Sequence, residues 1–71
     1  MKRAAVNSSS LRELGYDPDE QVLEVLFHNG SLYRYEQVPA EVVQALLEAD
    51  SLGRYFNQVF KARDYRYRRV E

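Results

Sequence analysis

The chain contains no cysteine, and its only histidine is His28. The absence of cysteine excludes disulfides, thiolate metal sites and cysteine nucleophiles together. A chain of 71 residues without a disulfide is more typical of the cytosol than of secreted proteins. No apolar run approaches the roughly 20 residues of a membrane-spanning helix, and no signal peptide is recognisable. We therefore expect a soluble, cytoplasmic protein that binds no membrane.

Catalytic residues are also scarce. A single imidazole could serve as a general base or metal ligand, but no second histidine accompanies His28 and no carboxylates surround it at ligand spacing. We interpret His28 as a turn residue. The serines at 8–10 have no partner base that the sequence places nearby, so nucleophilic catalysis has no support. The sequence favours a non-enzymatic module without metal or cofactor.

Charge is unevenly distributed along the chain, although the net charge is only −1. Residues 17–50 carry eight carboxylates against one arginine, whereas residues 61–71 carry five basic and two acidic side chains. Such asymmetry can form a local anion-binding surface without drawing the whole domain to nucleic acid. We expect one domain over residues 1–71, with a polar lead-in at 1–10 and a basic aromatic tail at 61–71.

The segment Gln21–Gln37 has the pattern of a β-hairpin, with alternating apolar residues on both sides of His28-Asn29-Gly30. A two-residue turn at Asn29-Gly30 would mix apolar and charged side chains on both faces. A three-residue loop with Gly30 in the left-handed conformation pairs Phe27 with Ser31 instead. The second register predicts one apolar face, formed by Leu23, Val25, Phe27, Tyr33 and Tyr35. It also places Glu24 opposite Arg34.

Further elements flank the hairpin. Leu11–Tyr16 predicts a strand with Gly15 as a bulge or bend, and Asp17-Pro18-Asp19 predicts a turn. Apolar periodicity predicts helices at about 39–49 and 52–61. We expect an α+β fold, a three-stranded antiparallel meander with two helices packed on one face. The tail is either an additional edge strand or an extended arm.

Two small residues mark the start of the second helix. Ser51 offers a side-chain cap for its first turn. Gly53 is costly inside a helix, so it marks either close contact with the sheet or a late helix start.

Several short motifs occur in order along the chain. They are Ser-Ser-x-Leu-x-x-Leu-Gly-Tyr-Asp at 8–17, Leu-x-Val-x-Phe-x-Asn-Gly-x-x-Tyr-x-Tyr at 23–35, Val-Pro at 38–39, Ser-x-Gly-x-Tyr-Phe-Asn at 51–57 and a closing Tyr-x-Tyr-x-Arg. The ordered set resembles the KTSC domain, which is named after the C-terminus of some lysyl-tRNA synthetases. The family also includes small stand-alone bacterial and phage proteins. The resemblance implies no established activity, a suggested role in RNA binding, and structural roles for the motif residues Tyr33, Tyr35, Gly53, Phe56 and Asn57.

Two groups of aromatic residues are candidates for binding. Tyr33 and Tyr35 could form a stacking platform for RNA bases, but the hairpin register favours a place in the core. Asn57 could contact a ligand or cap a buried backbone group. The stronger candidate is the tail, where tyrosines that can stack on bases alternate with cations that can neutralise phosphates. Its candidate residues are Lys61, Arg63, Tyr65, Arg66, Tyr67, Arg68 and Arg69.

The sequence leaves two functions open for this tail. One is binding of tRNA or another structured RNA. The other is a protein-interaction or structural role, in which the tail docks on a partner with an acidic surface or on the domain itself.

Overall fold

The computed structural model describes residues 3–70, which form a five-stranded antiparallel sheet with helical segments packed on one face. The strands lie in the sheet in the order in which they occur along the chain. The elements are β1 (Arg3–Ala5), β2 (Leu11–Asp17), β3 (Val22–Phe27), β4 (Leu32–Tyr35), α1 (Ala40–Glu48), α2 (Leu52–Tyr55), a π-helical turn (Phe56–Phe60), a 3₁₀ turn (Lys61–Arg63) and β5 (Tyr67–Arg69). Within residues 3–70, no helix is long and apolar enough to span a bilayer.

The α+β class is confirmed, and the number of strands is corrected from three to five. The tail supplies the predicted edge strand, because β5 pairs with β4 and sets Tyr67 opposite Tyr35. The opposite edge was not predicted. Residues 3–5, inside the expected polar lead-in, pair with β2 as β1. A strand of three exposed residues has no alternating apolar pattern by which a sequence could reveal it.

The β3–β4 hairpin has the predicted bulged register. The Phe27 N–H donates to the Ser31 carbonyl at 2.9 Å, and the Gly30 N–H donates to the Phe27 carbonyl at 3.0 Å. Gly30 has a φ of +91°, which a residue with a Cβ rarely adopts. Glu24 lies opposite Arg34, and Val25 lies opposite Tyr33. The apolar pattern therefore decided the register correctly.

Gly15 is not a bulge, contrary to the prediction. The irregularity in β2 lies between Leu11 and Glu13, whereas Gly15 pairs regularly with Arg3 on one side and Glu24 on the other. The Arg3 guanidinium reaches the Glu24 carboxylate at 3.0 Å, from β1 to β3 across β2. Gly15 is the β2 residue that pairs with both of these charged residues.

The helical segment begins and ends close to the predicted positions, but its geometry changes along its length. The Ser51 hydroxyl accepts the Arg54 N–H at 3.3 Å and caps α2, as expected. Only residues 52–55 are α-helical, and the chain then widens into the π-helical turn. In that turn the rings of Phe56 and Phe60 stack 4.9 Å apart, with 14° between their planes. Both rings enter the core.

The core lies between this helical layer and one face of the sheet. Its most deeply buried side chains are Leu11, Leu23, Val25, Val38, Leu46, Phe56 and Phe60. They come from β2, β3, the segment before α1, α1 itself and the π-helical turn. Tyr35 of β4 also belongs to the core, whereas the residues of β1 and β5 are exposed.

The other face of the sheet carries charged pairs instead of helices. Arg3 contacts Glu13 and Glu24 at 3.0 Å, and Nε of Arg34 lies 3.2 Å from a second oxygen of Glu24. The Arg34 N–H is not aligned for a hydrogen bond, so its contact with Glu24 is an ion pair only. These contacts connect β1, β2, β3 and β4 across the sheet.

Candidate functional site

A groove opens where the helical cover ends, between the β3–β4 turn, β5 and the 3₁₀ turn. We call it the tyrosine groove. Six aromatic residues line it: Phe27, Tyr33, Tyr35, Phe60, Tyr65 and Tyr67. Four polar residues complete the lining: Asn29, Ser31, Lys61 and Asp64. Its volume of about 480 Å³ is within the range of small-molecule sites and suffices for a planar ring with its substituents.

The sheet register brings three tyrosines together in this groove. Tyr67 in β5 lies directly opposite Tyr35 in β4, with ring centroids 5.2 Å apart. It also stacks on Tyr33, the diagonal neighbour, at 5.6 Å and 22°. Tyr67 nevertheless remains 56% exposed. The three rings form a supported aromatic surface whose outermost member faces solvent.

The tyrosines differ in depth. Tyr35 is only 5% exposed and meets the Phe60 ring edge-on at 5.0 Å. Burial, with smaller contributions from Tyr67 and Tyr33, raises the pKa of Tyr35 to about 12, so its hydroxyl is neutral at ordinary pH. Tyr33 is half-buried. The expected core position holds for Tyr35, whereas Tyr33 contributes to both the core and the groove.

The end of the helical segment supplies two of the polar residues that line the groove, Lys61 and Asp64. Lys61 begins the 3₁₀ turn, and its Nζ lies 5.8 Å from the centroid of the Phe56 ring. Asp64 ends the turn in the left-handed conformation, with its N–H donating to the Lys61 carbonyl at 3.2 Å. This reversal returns the chain towards β4 and places Tyr65 against Phe60 at 5.0 Å.

The cations of the tail do not share one surface. Side chains alternate across a strand, so Tyr67 and Arg69 lie on the groove face of β5 while Arg68 lies on the opposite face, beside Arg34. Arg63 and Arg66 are exposed on the connections before β5, and the Arg66 carbonyl accepts the Glu36 N–H at 2.8 Å. Lys61, Tyr65, Tyr67 and Arg69 are therefore the tail residues that the structure brings to the groove or its face.

Three polar residues of the groove lining were not among the sequence candidates: Asn29, Ser31 and Asp64. Asn29 and Ser31 belong to the hairpin loop, and Asp64 interrupts the basic tail. Asparagine, serine and aspartate are common in turns, so turn formation explains their presence in the sequence and gives no sign of a binding role. Only the docking of β5 beside β4 brings these residues to the same groove.

A second pocket, of about 400 Å³, lies between the serine segment and the start of α2. The Ser8 hydroxyl accepts the N–H groups of Ser10 and Leu11 at 3.1 and 3.2 Å. A Cβ on Gly53 would lie 2.9 Å from that hydroxyl oxygen, so Gly53 allows a close approach to the serine segment rather than to the sheet. Asn57 lies exposed beside the same pocket.

His28 completes this corner of the fold. Its Nε2 lies 2.8 Å from the Ser8 carbonyl, which ties the hairpin loop to the serine segment. Within residues 3–70, no three His, Asp or Glu side chains meet as a potential metal site. The contacts of this corner are those of a structural junction.

The sheet and its helical layer define a small α+β domain with a tyrosine-lined groove at one edge. A family model for the KTSC domain matches residues 7–67. The chain therefore belongs to the KTSC domain family.

Similar proteins agree with this assignment. An uncharacterized protein of Stutzerimonas stutzeri is 72% identical over the full length of both chains. A crystal structure of a KTSC domain protein from Yersinia pestis superposes with a TM-score of 0.89 at 37% identity, covering 99% of this chain and 97% of that one. A lysine–tRNA ligase of Nostoc punctiforme is 34% identical over 55 residues, which are 78% of this chain and 10% of that protein.

Proposed function

We propose that this domain is a non-catalytic, cytoplasmic module that binds a single-stranded part of tRNA or another structured RNA in the tyrosine groove. The observation that carries the proposal is the exposed ring of Tyr67, supported by Tyr33 and Tyr35, in a groove whose lining also includes Lys61.

Base stacking is the chemistry that this surface fits best. Unpaired bases stack on protein aromatic rings irrespective of sequence, and each contributes about 1–3 kcal/mol by alanine substitution. An exposed tyrosine that is already held by two others loses little conformational freedom when a base stacks on it. The groove is wide enough for a base, and its floor is aromatic.

Phosphates would be held by the cations around the groove. Lys61 lines it, Arg69 is on the same face of the sheet, and Arg63 and Arg66 are exposed nearby in the chain. Glu24 of the acidic middle region and Glu13 of β2 are paired with arginines, and so oppose an RNA backbone less than free carboxylates would.

The pairing of β5 with β4 changes how the tail would bind RNA. A free basic arm would have been the simplest RNA-binding device, and pairing of β5 with β4 counts against it. Docking, however, creates the groove. The lysine–tRNA ligases that contain a related segment act on tRNA, which supports RNA as the ligand class.

One observation favours a second candidate function. Within the described residues 3–70, no strand pairs with the outer edge of β5, and the residues of β5 are exposed. An extended peptide could add to that edge by main-chain hydrogen bonds, and an acidic peptide would suit the surrounding arginines.

Fluorescence anisotropy with labelled single-stranded RNA and with tRNA tests the leading proposal, over a range of salt concentrations. We expect binding that weakens with salt, with a log–log slope of about −0.7 for each phosphate contact. The Tyr67→Ala variant should bind about 5- to 150-fold more weakly, in line with the loss of one stacked base. Lys61→Ala should reduce the salt slope.

Two variants provide matched controls. Leu47→Ala removes an exposed apolar side chain on α1, and Arg54→Ala removes an exposed cation on α2, both outside the groove lining. Both should bind RNA as the unmodified protein does. Absence of binding at low salt, or full binding by Tyr67→Ala, would refute the proposal. Binding of an acidic peptide alone would favour the second function.

A further inference from the structure

Among residues 3–70, the lining of the tyrosine groove contains one carboxylate, that of Asp64, which is unexpected in a site for a polyanion. No ion pair or side-chain hydrogen bond within residues 3–70 engages this carboxylate. Its backbone is held at φ 58° and ψ 46° at the end of the 3₁₀ turn, so its position is defined by the fold. Asp64 is exposed in the free domain, so a ligand that covers the groove removes water from this carboxylate and has to replace it with hydrogen-bond donors.

The charges around the groove determine which part of a nucleotide can meet Asp64. A carboxylate repels phosphate, and Lys61, in the same groove, attracts it. A nucleotide stacked on Tyr67 is therefore most stable with its phosphates towards the cations and the edge of its base towards Asp64. The donors that can then satisfy the carboxylate are those of the base edge and the ribose 2′-hydroxyl, and only the base edge differs between the four nucleotides.

A second polar group of the groove has the complementary character. The side-chain oxygen of Asn29 accepts the Ser31 N–H at 3.0 Å, which identifies the other end of the amide as the NH₂ group. Asn29 therefore brings a hydrogen-bond donor to a groove in which Asp64 is an acceptor. The lining thus combines a carboxylate with two acceptor oxygens and at least one amide donor.

Guanine matches this combination best among the four bases. Its N1–H and N2 amino groups are adjacent donors that one carboxylate can accept together, and its O6 is an acceptor for an amide. Adenine and cytosine offer a carboxylate only their single exocyclic amino group, and uracil offers only N3–H.

We infer that the tyrosine groove prefers guanine, with Asp64 accepting from N1–H and N2–H of a base stacked on Tyr67, and Asn29 donating to O6. This inference rests on the proposed function and names the base that the same groove selects. Asp64 is the residue that determines specificity, whereas the tyrosines supply affinity for any base.

The test is a competition of short single-stranded RNAs that differ at one position in a uridine background, measured by fluorescence anisotropy. Guanosine at that position should bind roughly tenfold or more tightly than adenosine, cytidine or uridine, the discrimination typical of a bidentate contact. Inosine, which retains N1–H and O6 but lacks the N2 amino group, should lose much of that advantage.

The Asp64→Asn variant should reduce the ratio between guanosine and uridine RNAs several-fold while leaving the affinity for all-uridine RNA unchanged or higher, because one repelling charge is removed. Asparagine tolerates the left-handed conformation, so the turn should persist. The matched control is Asp19→Asn, at an exposed position in the β2–β3 turn, which should keep the preference.

The outcomes separate the two proposals. RNA binding that depends on Tyr67 but shows no guanosine preference, or a preference that survives Asp64→Asn, overturns this inference and leaves the proposed function intact. A preference for cytidine would also overturn it. No RNA binding by the unmodified protein removes both.

Discussion

The two faces of the sheet are stabilised in different ways. One face is apolar and packs against the helical layer, with Leu23, Val25 and Phe56 fully buried. The other face carries no helix within residues 3–70, and instead carries the ion pairs that Glu24 forms with Arg3 and Arg34. Apolar burial contributes much more per residue than charge pairs near solvent, so we expect the free energy of unfolding to depend mainly on the first face.

The apolar face of the sheet also extends beyond the helical layer that packs on it. The aromatic rings continue from Phe60 through Tyr35 to Tyr67, and the last of these is more than half exposed. The candidate site is the uncovered end of the core. The inner residues of the groove, Tyr35 and Phe60, are already packed in the core.

Truncation of Phe56 should have the largest effect on stability. It tests whether the covered face contributes most of the free energy of unfolding. Its ring is 0% exposed and contacts the rings of Phe27, Tyr35 and Phe60. We expect Phe56→Ala to lower the free energy of unfolding by about 3–5 kcal/mol in urea titrations. That is a large fraction of the stability typical of a small domain.

The matched control for this variant is Leu47→Ala, at a position that is 55% exposed. It should change stability by no more than about 0.5 kcal/mol. A loss below about 1 kcal/mol for Phe56→Ala would show that the covered face does not dominate.

Alkaline pH should reveal how deeply the covered face encloses Tyr35. The raised pKa means that the unfolded chain ionises from about pH 10, before the folded one does at about 12. The contribution of Tyr35 is therefore fully present below pH 10 and is lost as the pH rises towards 12. Linkage gives a loss of about 1 kcal/mol by pH 11 and about 2 kcal/mol by pH 12.

Urea titrations at pH 8, 10, 11 and 12 measure this effect, with Tyr35→Phe as the comparison. The variant should lose less of its free energy of unfolding at alkaline pH than the unmodified protein does. Some loss should remain, because burial also raises the pKa of Tyr16. Identical pH profiles for the two proteins would mean that the Tyr35 hydroxyl is not shielded from water.

Removal of one charge from the open face should have the smallest effect. The Glu24 side chain is 14% exposed and contacts two arginines, so Glu24→Gln should destabilise the domain by about 1 kcal/mol at low salt. The difference should shrink in 1 M NaCl, where charges near solvent are screened. Thermal unfolding at both salt concentrations measures it.

Glu36→Gln is the control for the open face, since this exposed residue takes part in none of the ion pairs described above. It should leave stability unchanged at both salt concentrations. A loss of 3 kcal/mol or more for Glu24→Gln would make the two faces comparable in importance.

Local chemistry made much of the fold predictable. The apolar alternation around Gly30 was sufficient to predict the hairpin register, and Ser51 was predicted correctly as a cap. The Asp17 carboxylate accepts the N–H groups of Asp19 and Glu20, as the predicted turn requires. Each of these features depends on residues within a few positions of one another.

The edges of the sheet and the end of the helix were less predictable. β1 and β5 have three residues each and exist because β2 and β4 present unpaired backbone groups to them. The π-helical turn likewise depends on how Phe56 and Phe60 pack against the sheet. Neither effect leaves a periodic signal in the sequence.

The sequence by itself determined the hairpin, its apolar face, the helical positions and the chemical character of the tail, because these follow from residue types at short spacing. Only the tertiary structure decided that the tail docks on β4, that its arginines divide between two faces, and that Asp64 and Asn29 meet the tyrosines in one groove. Those outcomes depend on contacts between residues more than thirty positions apart, such as Tyr33 with Arg69 and Tyr35 with Tyr67. Contacts at such separation are set by packing of the whole domain, which no local pattern encodes.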